Sequence, residues 1–330
     1  MSDPKRPHFN LKRYRAAHSV RPRGTQNGET DGLTPLMKAI KAVHSVTSTG
    51  STRPEDLERQ RSAQELFGRL AAPNLLIRTA PLTIGSVAAE WVQVNHGHDR
   101  RHVVLYCHGG GYTCGQLTYA RVLAGKLALA SGCDVLSFEY RLAPESPYPA
   151  AIEDAVRVWD YLMYMGYGAQ EIILAGDSAG GNLALELALT IKEQGRRQPR
   201  AMVLMSPWTD MTMTGESYQT CLELDPMLTP DYIDSCRTAY RGEAGEPDWA
   251  DPRLSPLYAD LRGLPPTLIQ VGTNEILRSD SETLRDRLAS QEVHAVLEVY
   301  EECWHVFQQM PVPQASRAME SIGRFVQSVL

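Results

Sequence analysis

The sequence predicts an α/β architecture: a mainly parallel sheet covered on both faces by helices. Two observations predict it. From about residue 82, short apolar runs of strand length alternate with longer stretches of helix-like apolar spacing. The bulk composition, 43% apolar and 22% charged over 330 residues, supplies a large core. Buried strands that alternate with helices form parallel sheets, because each crossover helix covers a face.

The strands expected are Ala89–Val94, Val103–Cys107, Val135–Tyr140, Ile172–Ala175, Met202–Met205, Leu268–Val271 and Val296–Tyr300. The helices expected between and after them are Tyr119–Ala130, Ala151–Met165, Ala179–Glu193, Ser281–Ser290 and Ser316–Val329. Upstream, residues 1 to 32 are polar and read as a loose arm. Leu36, Ile40 and Val43, then Leu57, Leu66, Phe67 and Leu70, have helical spacing and predict two further helices over 35 to 71. One stretch breaks the rhythm. About sixty residues separate Met205 from Leu268, far more than a usual strand-to-helix connection. It contains a helix-like piece around Tyr232–Tyr240, and it follows a strand's C-terminal end, where a lid over a site would lie.

Charge excludes some functions. The formal net charge is -6, so no global field draws nucleic acid or anionic lipid, and neither is an expected partner. No window is long and apolar enough to span a bilayer. The basic opening, with Lys5, Arg6, Lys12, Arg13, Arg15, Arg21 and Arg23, reads as a solvated tail rather than a secretory signal, and a cytoplasmic location is expected. The six cysteines are irregularly spaced without a Cys-x-x-Cys pair, which fits reduced thiols.

Two motifs carry chemistry. Gly176-Asp177-Ser178-Ala179-Gly180 fits a sharp strand-to-helix turn that exposes the Ser178 hydroxyl, with small residues on either side to avoid clashes. The pattern alone arises by chance in about one chain in ten of this length. Its setting adds weight, since a strand run, Ile172–Ala175, precedes it and a helix run follows. His108-Gly109-Gly110-Gly111 directly follows another strand run. Such a loop brings bare backbone N–H groups close to a ligand. The N–H groups of Gly109 and Gly110, with that of Ala179, are candidates to hold an oxyanion. A phosphate loop would need a Lys-Ser/Thr pair or a Gly-x-Gly-x-x-Gly frame, and neither occurs.

An activated serine needs a base, and the base an orienting acid, in the chain order Ser, acid, His. Only His294 and His305 follow Ser178. His305 lies just past the Val296–Tyr300 run, where a base belongs, and His294 precedes it. Glu275 and Asp280 both follow the Leu268–Val271 run. Glu275 is nearer the strand end, whereas Asp280 reads as the N-cap of the next helix.

With these motifs in hand, the sequence resembles the hormone-sensitive-lipase family of α/β-hydrolases, the bacterial family IV esterases. The resemblance rests on the His108–Gly111 loop, the Gly176–Gly180 turn, Glu139-Tyr-Arg-Leu-Ala-Pro-Glu145, Ser206-Pro-Trp-Thr-Asp210 and Trp304-His-Val-Phe307. It implies an α/β-hydrolase fold with an eight-stranded sheet and a helical cap. The arm and cap helices would occupy 1–80, the core 81–205 and 246–330, and a cap insertion 206–245. It implies hydrolysis of short- to medium-chain acyl esters and a homodimer. The family usually carries Asp where this chain has Glu275, so the longer side chain requires a loop set further back.

The expected activity is thus a serine carboxylesterase acting on a small-molecule ester, with Ser178, His305 and Glu275 as triad and no cofactor. An amidase, deacetylase or lactonase shares the same residues, an acyltransferase shares the acyl-enzyme, and a non-catalytic binding protein shares the scaffold. Tyr112, Trp208, Met211 and Met213 are candidates to line an acyl pocket, with plain core packing as the alternative. His96, His98 and His102 lack a metal-site spacing and read as a polar hairpin turn. Cys303, near His305, reads as a small buried hydrophobe.

Overall fold

The computed structural model describes residues 35–47, 51–72, 75–95, 99–242 and 248–330. The basic N-terminal arm, His96 and His98, and the side chains of Leu36 and Val43, lie outside the described residues. Two helices come first, α1 (Pro35–Thr47) and α2 (Pro54–Ala71). Then follow β1 (Ile77–Ile84), β2 (Val87–Val94), β3 (Asp99–Cys107), α3 (Leu117–Ser131), β4 (Cys133–Glu139), α4 (Ala150–Tyr164), β5 (Ile172–Asp177), α5 (Ala179–Glu193) and β6 (Ala201–Met205). After β6 come α6 (Ser217–Thr220) and α7 (Pro230–Arg241), then β7 (Thr267–Gly272), α8 (Arg278–Ser290), β8 (Ala295–Tyr300) and α9 (Pro313–Val329).

The eight strands form one sheet in the order β1-β2-β4-β3-β5-β6-β7-β8. The first two pairings, β1 with β2 and β2 with β4, are antiparallel. The rest are parallel, as the buried apolar runs predict. Side chains alternate between the faces. Leu105, Leu136, Leu174, Leu204 and Ile269 meet α4, α5 and α8 on one side. Val104, Val135, Ile173 and Val203 meet α3 and α9 on the other. Burial on both faces is what fixes the strand register. All six cysteines are free and buried in or beside these layers.

Every strand and helix expected from the pattern is present, most with ends shifted by a few residues. Two expectations are corrected. The sheet begins at Ile77, ahead of the 81 boundary, because β1 is a strand the apolar pattern does not reveal: of its residues only Ile77 and Ile84 are buried. The hairpin expected across residues 96–102 does not form between the strands that flank it. β2 and β3 do not pair, since β4 lies between them. His102 Nδ1 instead meets Asp99 Oδ2 at 2.6 Å, and Asp99 Oδ1 accepts the N–H of Arg101.

Helix α2 and the segment between β6 and β7 approach the loop after β3. Arg61 of α2 donates from Nε to the Thr113 carbonyl at 2.9 Å and forms a two-pronged pair with Glu145. From α7, Cys236 and Tyr232 reach Gly111. Thr229 caps α7 by accepting the Tyr232 N–H, and Pro230 opens the helix. Among the described residues, no helix is long and apolar enough to cross a membrane.

Candidate active site

Ser178 sits between β5 and α5 with φ 54° and ψ −123°. Such a backbone is costly for a residue bearing a Cβ and persists only where its surroundings impose it. Here the Ser178 N–H donates to the Met205 carbonyl at 3.0 Å, and the Ser178 carbonyl accepts the N–H groups of Gly181 and Trp208. The flanking glycines follow from space. A Cβ on Gly176 would strike the Gly180 carbonyl, and one on Gly180 would strike the carbonyls of Cys107 and His108.

His305 and Glu275 come from the loops after β8 and β7, which are adjacent strands, with β6 on the other side of β7. His305 Nε2 lies 2.9 Å from Ser178 Oγ, and Nδ1 lies 3.2 Å from Glu275 Oε2. An ionised carboxylate only accepts, so Nδ1 carries the proton and Nε2 is free to accept the serine's. Glu275 is fully buried, His305 and Ser178 nearly so. The carboxylate's other oxygen accepts from Ser206 Oγ at 3.0 Å and from the Gly272 N–H.

The loop after β3 is held from behind. His108 is buried, stacks on Tyr140 with ring centroids 4.2 Å apart, and directs Nδ1 to the Gly109 carbonyl at 2.8 Å. Burial pushes this imidazole down to about 4, so it stays neutral. Gly109 is a correction to the expected oxyanion donors. Its N–H donates to Asp177 Oδ1 at 2.9 Å, behind the turn, and is spent there. Next to it the chain turns through φ 123° at Gly110 and 61° at Gly111. A Cβ on Gly110 would strike the Cys114 carbonyl.

This arrangement can be set against known proteins. A family model described as alpha/beta hydrolase fold matches residues 104–309, the span that holds all of these groups. The chain belongs to that family. The hydrolase is 37% identical over 295 residues to an acetyl-hydrolase of Streptomyces hygroscopicus, covering 89% of this chain and 95% of that one. It is 35% identical over 263 residues to an esterase of Acinetobacter venetianus, covering 79% and 86%. A crystal structure of an esterase from the bacterial hormone-sensitive lipase family superposes with a TM-score of 0.82 at 36% identity, over 90% of this chain and 99% of that one. The hydrolase is a carboxylic ester hydrolase of the bacterial hormone-sensitive-lipase family.

Three further expectations meet the structure of this esterase. Asp280 does not cap its helix, whose N-cap is Leu277. Its carboxylate accepts the N–H groups of Thr209 and Asp210, each at 2.9 Å, and so braces the loop after β6. The acyl-pocket assignment fails for Tyr112, Trp208 and Met211, which are fully buried in the core and present no free surface. Tyr112 lies flat on Tyr240 with centroids 3.6 Å apart, and its hydroxyl donates to Asn182. Met213 alone is partly exposed. Cys303 is buried, and burial pushes its thiol up to about 12, so it is no nucleophile.

Sequence reasoning missed Ser206. It appears in the Ser206–Asp210 motif without a role. Here it has φ 46°, donates to Glu275 and accepts the Val306 N–H at 3.1 Å. Small hydroxyl residues at positive φ are uncommon, but sequence alone does not reveal φ.

Proposed function

We propose that this carboxylesterase works through a Ser178–His305–Glu275 triad and an acyl-enzyme, on short- to medium-chain acyl esters. The observation that carries the reading is the imidazole of His305, bonded on one side to the serine hydroxyl and on the other to a buried carboxylate. His305 Nε2 takes the Ser178 proton as Oγ attacks the ester carbonyl carbon. The carbonyl π electrons move onto oxygen, and the oxyanion rests on backbone N–H groups. Gly110 and Ala179 keep their place among the donors. Gly111 takes the place of Gly109, whose N–H is spent on Asp177. The intermediate collapses, the C–O bond to the alcohol breaks, and the imidazolium protonates the leaving oxygen. Water repeats the sequence on the acyl-enzyme and returns Ser178. Glu275 stays ionised and holds the imidazole's tautomer and orientation.

The N-terminal helices and the β6–β7 segment would act as the cap, excluding water from the ester. The test is hydrolysis of p-nitrophenyl acetate, butyrate and decanoate by wild type and Ser178→Ala. Turnover that disappears in the variant supports the serine mechanism, with acetate and butyrate preferred over decanoate. Turnover retained by Ser178→Ala overturns it.

A further inference from the structure

One buried carboxylate in the β6–β7 segment has no part in the reaction as written. Asp225 is only 2% exposed. Its Oδ1 accepts the N–H groups of Met227 and Leu228 at 2.8 and 2.9 Å, closing its own turn. Its Oδ2 reaches across and accepts the N–H of Ile276 at 2.9 Å. Ile276 is the residue after Glu275. The other polar group of Ile276, its carbonyl, accepts from Ser217 Oγ at 2.5 Å, and Ser217 Oγ also accepts the Ser279 N–H at 2.9 Å. Nearby, Cys221 Sγ meets the Thr273 carbonyl at 3.5 Å. Residues 217 to 225 therefore clasp the loop that carries Glu275 on both sides.

We infer that Asp225 is a positioning residue for the esterase reaction, fixing the Glu275 loop against the β6–β7 segment and so holding the carboxylate that orients His305. The inference rests on the triad proposed above. Hydrogen bonds from three backbone N–H groups select an acceptor with two oxygens, which a carboxylate supplies and an amide does not. Burial pushes the Asp225 carboxyl up to about 6, and the positive charge of His305 works against that push.

The groups around the pair are few. His305 faces Ser178 and Glu275 directly and also feels Asp177, which burial pushes up to about 6. Asp225 and Glu275 both act on the Cys221 thiol, which burial holds in its neutral form and which Arg278 opposes. Arg278 is itself paired with Glu282.

The decisive comparison is wild type, Asp225→Asn, Asp225→Glu and Ser217→Ala, each read by kcat and KM on p-nitrophenyl butyrate. In Asp225→Asn the charge is gone, and an amide NH2 must face a backbone N–H. The expected result is a kcat lowered about tenfold, as for a misaligned catalytic group, with KM changed less than about threefold. Asp225→Glu keeps two acceptor oxygens and should recover part of the lost kcat. Ser217→Ala frees the Ile276 carbonyl from the same clasp, so kcat should fall with KM little changed. An Asp225→Asn enzyme with wild-type kcat, or one whose KM rises as much as its kcat falls, overturns the inference. If Asp225→Asn does not fold, Ser217→Ala decides, and wild-type kcat in that variant overturns the inference. A wild type that turns over no ester would sink the proposed triad, a result distinct from a variant slower than an active wild type.

Discussion

Ser206 Oγ donates to Glu275 Oε1 at 3.0 Å while accepting the Val306 N–H, so one hydroxyl ties together the loops that follow β6, β7 and β8. The longer acid is thereby held at both oxygens, one toward Ser206 and the Gly272 N–H, the other toward His305. This is how the glutamate is held in reach of His305.

Removing that tie should cost both stability and activity. Ser206→Ala leaves the Val306 N–H without its acceptor and removes one of the donors to Glu275, a loss of about 1–3 kcal/mol. We expect kcat to fall about tenfold, with KM little changed, measured on p-nitrophenyl butyrate. A variant as fast as wild type would show that Glu275 needs no support from Ser206.

Gly111 offers a paired test. Its φ is 61°, and an added Cβ would lie 2.6 Å from Cys236 Sγ and 3.3 Å from Cys236 Cβ. Gly111→Ala should therefore lower kcat sharply by displacing the proposed oxyanion donors. Gly111→Ala combined with Cys236→Ala should recover part of that loss, because the sulfur is gone while the backbone strain remains. No recovery in the double variant would place the damage in the backbone alone.

Stability should carry a pH signature from Asp177. Burial raises its carboxyl to about 6, above the ordinary value of 3.8. The native state then binds this proton more tightly than the unfolded chain does. Its contribution is fully present below about pH 4 and is lost as pH rises through about 6, on the order of 3 kcal/mol. Asp177→Asn keeps an oxygen for the Tyr106 hydroxyl and the Gly109 N–H. Its melting temperature relative to wild type should rise between pH 4 and 6 and level off above. A difference that stays constant with pH would remove Asp177 as the source.

The core of this fold is legible in the sequence because its strands are buried on both faces and read as continuous apolar runs. The edge strand β1 is not, since it pairs with β2 alone and Arg78, Ala80, Pro81 and Thr83 face solvent. Ser178, His305 and Glu275 can be found by motif and chain order, because each follows a recognisable strand. Choosing among Gly109, Gly110 and Gly111 cannot be done that way. It depends on which N–H a carboxylate 68 residues downstream captures, and that carboxylate is Asp177. Asp225 and Ser206 are silent for the same reason. Their partners, Ile276 and Glu275, are 51 and 69 residues away, and only the order of the strands brings them together. Tyr112, Trp208 and Met211 show the opposite failure, aromatic and sulfur side chains beside the site that simply fill space.

The six buried thiols give the molecule a built-in clock. Burial holds Cys133 at about 11 and Cys236 and Cys303 at about 12, so none is a thiolate at neutral pH, and an alkylating reagent must wait for the surrounding structure to open. Cys236 rides on α7 against Gly111, Cys303 lies in the loop before His305, and Cys107 ends the central strand β3. The order in which these sites take up label would separate a breathing motion over the active site from unravelling of the whole sheet.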